Sequence, residues 1–564
     1  MLNFKKTFVF ALLTLALGLV SCGSDSSSDF SAQKSASGLM PEAYMPYDLG
    51  FVFSYSLLNE DQYLAFQNLD SRLGEDAQLS QVIAKSFNTQ MAGLGLDYDI
   101  DLKPALGDKY RFVYGAKPSE KVAGDVDSTG STLSSFAVLT LQDADQLETL
   151  LQTLVTAQKL TSEPLSGMDV YQDASGKWYA SIYQDLFLMT NDPANLLAMT
   201  KQDQDTSLWA YPLYQDAIEN GAGESIFYGV MYPQIYIAEV ASLPTQLGIS
   251  NVPSLIDYES LYVKAEEDGF AFDVFVKANK EKAEEADFTF DSVPKFKPYL
   301  LSEVPADGLM GYMESYGIQQ SLERVLEVGD DTGAIDSLET SVRSYFGMDL
   351  QDDILSFLDK GYVLALHKNI EGIVPGISIY ADVSSNADLA QTFLDKLDGQ
   401  LSGLMVMLES ALPGAITKDT VMIDGTTFNR LELDLNAIPR NEESPLPAVV
   451  TATPIEIAYG ITDDRLLITT ATAWADGGEV VSDSALYEDL KSKIDASEGL
   501  ILVDANGVKD FIGTLRALRE QLELGVSDSA MQLEDFLASF KGLIAKSETE
   551  AYEIHSSGYL LLAD

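Results

Sequence analysis

Few residues in this chain of 564 could do chemistry by type and spacing, and the first is its single cysteine. Cys22 closes the tetrad Leu19-Val20-Ser21-Cys22, at the end of an apolar run from about Thr7 to Val20 that Lys5 and Lys6 precede. A lone thiol has no disulfide partner, and its place beside an export-type run suits it to covalent attachment of lipid. The next candidates are carboxylates. Asp97, Asp99 and Asp101 could donate oxygens to calcium, as could Asp125 and Asp127 in "DVDSTGST". That second run begins like a calcium loop, with Asp at positions 1 and 3 and Gly130 at 6. Its twelfth residue is Phe136, however, and the bidentate ligand is missing. Calcium is thus the one cofactor these residues suggest, against the simpler reading of helix caps and solvated turns.

The two histidines, His367 in "VLALHKN" and His555 in "YEIHSSG", fall in expected strands and outside any metal-ligand spacing, so they read as strand-end or surface residues. G-x-S-x-G, a Walker loop and a dinucleotide fingerprint are all absent from the sequence. A hydrolase built on paired carboxylates has ample material, yet with 87 acidic residues no pair stands out and no catalytic residue is assigned. Trp178, Tyr179, Tyr183 and Phe187, and Trp209, Tyr211 and Tyr214, could hold sugars or an apolar ligand, but their spacing suits core positions better.

The tetrad ending at Cys22 resembles the bacterial lipobox. That resemblance implies a diacylglyceryl group on the thiol, cleavage between Ser21 and Cys22, and a mature chain anchored by lipid to a bacterial membrane. The leaflet is open: the outer face of the cytoplasmic membrane or the outer membrane. On this reading residues 1–21 are the signal peptide. The apolar run is too short for a stable span. Residues 22–44, opening with Ser, Gly, Ala and Asp, form a flexible tether. The S-x-x-K match at Ser31 to Lys34 falls inside that tether, where nothing packs to hold the lysine against the serine.

Charge narrows the partners. Thirty-five basic residues face 87 acidic ones, for a formal charge of −52. Such a surface repels phosphate backbones, so nucleic acid is excluded as a partner and cations are favoured among small ones. Hydrophobic residues make up 46% of the chain, enough for sizeable cores without disulfides.

The elements that must position these groups are written twice. "MPYDLGFVFSYS" from Met45 is echoed by "VPADGLMGYMES" from Val304, each leading into a helix. The first helix carries an expected capping box at Asn59 and Gln62, and the second a stripe of Ile318, Leu322, Val325 and Leu326. A Gly-x-Asp step, Gly95 to Asp97 and again Gly347 to Asp349, precedes a short turn and a strand. A strand then enters a helix capped near Asp143 or Asp145, matched by "GISIYADVSSNADLAQTFLDKL" from Gly376. Hairpins at "YASIYQDLFLMTND" and "IAYGITDDRLLITT", helices at "LYQDAI" and "LYEDLK", and terminal hairpins complete the order. The expected class is α+β. Two tandem, diverged repeats of largely antiparallel sheet packed with helices span 45–280 and 304–564, joined by a linker at 281–303.

On the openings at Pro46 and Pro305 and the Gly-x-Asp steps, the body resembles an uncharacterised family of exported or membrane-anchored bacterial proteins, domain of unknown function thirty-three fifty-two. The resemblance implies an envelope location and an α+β fold, and brings no activity with it. The expected role is a non-catalytic binding or scaffolding ectodomain in the cell envelope. An envelope hydrolase and a carrier of an apolar ligand between sheet and helices are the alternatives.

Overall fold

The computed structural model describes residues 40–74, 78–91, 96–118, 133–174, 176–201, 204–235, 255–285, 289, 296–317, 339–344, 347–368, 375–411, 413–436, 454–475, 478–494, 499–521, 534 and 537–563. Cys22, Asp125, Asp127 and the stripe from Ile318 to Leu326 lie outside the described residues. The chain divides into two compact units, with the break between Glu285 and Ala286.

Among the described residues the first unit carries ten strands: β1 (Phe51–Ser56), β2 (Arg111–Pro118), β3 (Leu133–Thr140), β4 (Leu160–Leu165), β5 (Met168–Asp173), β6 (Tyr179–Tyr183), β7 (Leu186–Thr190), β8 (Phe227–Met231), β9 (Ile256–Ala265) and β10 (Gly269–Ala278). All pair antiparallel, in the order β10-β9-β8-β1-β2-β3-β7-β6-β5-β4. Period-two burial sets the faces. On β9, Ile256, Tyr258, Ser260 and Tyr262 turn inward while Asp257, Glu259, Leu261 and Val263 turn out. Inside, Val52, Val113, Val138, Leu188, Tyr228 and Tyr262 form one core with α4 (Pro193–Lys201) and α5 (Pro212–Glu219). The helices α1 (Glu60–Arg72), α2 (Leu79–Met91) and α3 (Ala144–Thr156) complete the unit, burying Phe66 and Leu69, Phe87, and Leu147 and Leu151 respectively.

The second unit has β11 (Leu309–Tyr316), β12 (Gly361–His367), β13 (Gly376–Asp382), β14 (Ile416–Ile423), β15 (Thr426–Leu433), β16 (Ile455–Thr462), β17 (Arg465–Thr469), β18 (Leu500–Asp504), β19 (Phe540–Glu550) and β20 (Glu553–Leu562). Their order is β20-β19-β18-β11-β12-β13-β17-β16-β15-β14, again antiparallel throughout. Counted along the chain, this is the strand order of the first unit. The long α6 (Ala387–Ala411) covers Ala381, Tyr459 and Leu466, and α7 (Ala485–Leu490) and α8 (Ala505–Gln521) flank β18. The turn between β16 and β17 places Asp463 and Asp464 at φ 45° and 63°, the pair of positive angles that a two-residue hairpin loop of the right twist requires. Sheet and helices together make the protein α+β.

Local signals differ from the folded result at three places. Asn59 caps α1 by accepting from Gln62 N at 3.2 Å, but the Gln62 side chain does not close the box. It grips the end of β9, donating to Ala265 O at 3.2 Å and accepting from Ala265 N at 2.8 Å, because that strand end has a free donor and acceptor within reach. Residues 40–44 were expected to be tether, yet Met40 and Glu42 are buried. The expected linker ends in packed chain too: Leu300 and Leu301 are buried, and the amides of Tyr299 and Leu300 donate to Glu314 Oε1 at 2.8 and 3.1 Å. In both places a side chain from a distant strand supplies a contact that local composition does not advertise.

Candidate functional site

The densest polar constellation of the first unit lies on the inner face of its sheet. Pro41–Tyr44 forms a single 3-10 turn whose Glu42 points into the unit. Arg111 opens β2, and its Nε donates to Ser54 Oγ on β1 at 3.4 Å while its backbone amide donates to Thr140 Oγ1 at 2.9 Å. Its Nη2 pairs with Glu42 Oε1 and donates to Tyr228 OH on β8 at 2.6 Å. Tyr228 and Tyr214, the latter from α5, donate to the same carboxylate oxygen at 2.6 and 3.0 Å. Glu42 Oε2 has no hydrogen-bond partner among the described residues.

Sealed from water, Arg111 and the two tyrosines keep their ordinary protonated forms. Burial alone would depress the Arg111 guanidinium, but the Glu42 charge together with Tyr228 and Tyr214 outweighs that and raises it above its ordinary value. Burial raises both tyrosines well out of the titrating range. Glu42, Arg111, Ser54, Tyr214 and Tyr228 are each at most 2% exposed. The constellation can fasten the turn at 41–44 to the sheet. It cannot receive a substrate.

The second unit has a more open network. Arg465 on β17 makes two bonds to Glu303, at 2.9 and 3.0 Å from Nε, and its Nη1 lies 3.0 Å from Asp382 on β13. Tyr299 OH donates to Asp382 Oδ2 at 2.9 Å, accepts from Gly361 N at 3.1 Å, and offers its ring to the guanidinium. Burial raises Asp382, but bonds from Ser384, Tyr299 and the Arg465 charge bring it below the usual carboxylate range. Glu314 is fully buried beside this network and moves the other way: burial raises it against the donors Tyr312 OH, Tyr299 N and Leu300 N.

Two of the expected calcium ligands, Asp97 and Asp101, accept bonds from the backbone. Asp97 Oδ1 accepts from the amides of Asp99 and Ile100 at 3.0 Å each, and Asp101 Oδ2 accepts in return from Asp97 N at 2.8 Å. Asp99 is exposed and turns away. The same reciprocal cap recurs at Asp349, which accepts from Gln351 N and Asp352 N at 3.1 and 3.0 Å while its own amide donates to Asp353 at 2.8 Å. Among the described residues, no three His, Cys, Asp or Glu side chains gather closely enough to hold a metal ion. His367 does end a strand, but it is buried rather than at the surface, with Nε2 3.1 Å from Pro305 O.

Of the aromatic candidates, Phe187 and Tyr214 are core and Tyr179, Tyr183, Trp209 and Tyr211 pack against it. A shallow open depression runs along α3, lined by Asp145, Glu148, Thr149, Gln152 and Thr153; a lining from one helix encloses nothing. Composition and spacing gave no notice of Glu42 with Arg111. The signal present was a charged residue inside the apolar strand "YRFVYG".

With the geometry in view, comparison with known proteins is informative at the level of family. The family described as "Protein of unknown function (DUF3352)" matches residues 10–405, more than half of the chain. The chain belongs to this family. No curated protein matches it. Among solved structures, the DUF3352 chain is similar to crystal form I of TP0453 at 6% identity and TM-score 0.23, covering 42% of this chain and 78% of that one. Crystal form IV aligns at 7% identity and TM-score 0.25 over 43% and 81%, and crystal form III at 8% and 0.24 over 47% and 91%. Superpositions this loose bear on neither shape nor function. Among the described residues, no helix is long and apolar enough to cross a membrane.

Proposed function

We propose that this DUF3352 protein is an exported ectodomain, anchored by lipid on Cys22, that binds a partner or ligand in the cell envelope without transforming it. The observation that carries the binding reading is the use made of the first unit's strongest polar chemistry. Glu42 and Arg111 are sealed and fasten the turn at 41–44, the last residues of the expected tether, to the sheet. A tether that ends in a buried ion pair transmits the position of its anchor to the folded body. We also read the two units as products of a tandem duplication. Support comes from the shared strand order and from the paired reciprocal caps at Asp97 and Asp349.

The anchor is tested by Cys22→Ala. The expected result is an uncut precursor or a protein lost from the membrane fraction. Normal processing with unchanged fractionation would refute lipidation. The carrier form of the binding reading is favoured by a specific feature of the first sheet, developed next.

A further inference from the structure

Among the described residues, the outward face of the first sheet is apolar at its centre and carries a carboxylate, Glu259, with an unpartnered oxygen. Register puts Phe51, Met231, Glu259 and Val276 in one row across β1, β8, β9 and β10, and Phe53, Gly229, Leu261 and Val274 in the next. Residues paired across strands share a face, so these eight lie on the same side. Gly229 leaves bare backbone in the middle: among the described residues, a Cβ built there would meet only Val52 O, at 3.7 Å, within 4 Å. Among the described residues this leaves a furrow walled by Phe51, Phe53, Met231 and Leu261, all half-buried, and bounded on β10 by the buried Val274 and Val276.

Glu259 closes one end of this furrow. The residue keeps some solvent contact, but its Oε2 is buried and has no hydrogen-bond partner among the described residues. Burial raises its carboxyl to about 7. An uncompensated carboxylate in apolar surroundings is costly to a fold, and a cation beside it relieves that cost. In the second unit, the places that correspond by pairing order hold Ile501 and Leu543, so the furrow is filled and the charge absent there.

We propose that this furrow binds an amphiphile with a primary ammonium, its alkyl chain over Gly229 between Phe51, Phe53, Met231 and Leu261 and its ammonium on the Glu259 carboxylate. The proposal rests on the binding half of the function proposed above and is independent of the anchor. Charge complementarity selects the ammonium: an alcohol would leave the carboxylate charge uncompensated, and a fatty acid would add a second negative charge to it.

Isothermal titration of the purified full chain at pH 8 with dodecylamine, dodecanol and dodecanoate tests it, each ligand kept below self-association. Dodecylamine is expected to bind about tenfold or more tighter than dodecanol, as a charge-assisted hydrogen bond at a desolvated site provides. Glu259→Gln should erase that preference while leaving dodecanol binding in place. Gly229→Val, which fills the furrow without touching the carboxylate, should weaken both ligands at unchanged thermal stability. Glu281→Gln, at an exposed carboxylate, controls for general acidity and should change nothing. Equal affinity for amine and alcohol in the unaltered protein, or equal loss from Glu281→Gln and Glu259→Gln, would overturn the ammonium assignment. Retained dodecanol binding that Gly229→Val abolishes would in that case still leave the broader binding reading standing.

Discussion

Glu42 and Arg111 meet in an ion pair with side-chain exposures of 0% and 1%, contributed by residues 69 positions apart in sequence. Taking two charges out of water is costly, and Tyr214 and Tyr228 on Glu42 Oε1 and Ser54 on Arg111 Nε offset part of that cost, while Glu42 Oε2 has no partner among the described residues. Breaking it one-sidedly leaves a buried charge. Glu42→Gln and Arg111→Met should each destabilise the first unit by about 3–5 kcal/mol, and the double substitution by less than their sum. Urea melts of the single and double variants measure this. A single-variant loss below about 1 kcal/mol would show that the turn at 41–44 is held by packing alone.

Glu259 makes the stability of the first unit fall as pH rises. Its folded value, about 7, stands above the ordinary carboxylate value, so the folded state holds the proton more tightly. The stabilisation is complete below about pH 4 and is lost as pH climbs through the folded value. Glu259→Gln should therefore leave stability unchanged at pH 4 and raise it by roughly 1–3 kcal/mol at pH 8. Thermal melts across that range decide it. A variant no more stable than the parent at pH 8 would mean that the carboxylate is compensated in solution.

Asp97 and Asp349 stiffen equivalent turns, and the two should respond alike to substitution. Asp97→Ala removes a cap from the turn Tyr98–Leu102 and should cost about 1 kcal/mol, with Asp97→Asn costing less. At Asp349, bonds from the amide of Asp352 and from Arg343 hold the carboxyl below its usual value. Its contribution is present above about pH 4 and lost as pH falls through the depressed folded value, so Asp349→Asn should flatten the acid limb of the stability profile. Added calcium should leave the Tm of the parent unchanged, since Asp97 and Asp101 spend oxygens on the backbone. A calcium-dependent rise in Tm that Asp97→Ala abolishes would restore them as ligands.

Much of the fold was legible because it is local. Hairpins at Tyr179–Thr190 and Ile455–Thr469, the cap at Asp143 and the buried stripe of Leu147, Leu151 and Leu154 follow from spacing within a dozen residues or so. Gln62 shows the limit: the capping pattern was present, yet the side chain went to β9, about two hundred residues away, because a strand end offered two bonds at once. His367 was open to a surface reading for the same reason, since its burial depends on Pro305 reaching it from 62 residues back.

By itself, the sequence determined the class of the elements and their largely antiparallel pairing, because hydrophobic period, caps and turn residues act over short separations. Only the tertiary structure decided which polar groups would be shut together and which left alone. Glu42 found Arg111 and two tyrosines, while Glu259, as acidic and as ordinary in sequence, was paired by register with Met231 and Val276. Register is set by whole strands coming into alignment, and shifting one strand by a residue turns its side chains to the opposite face.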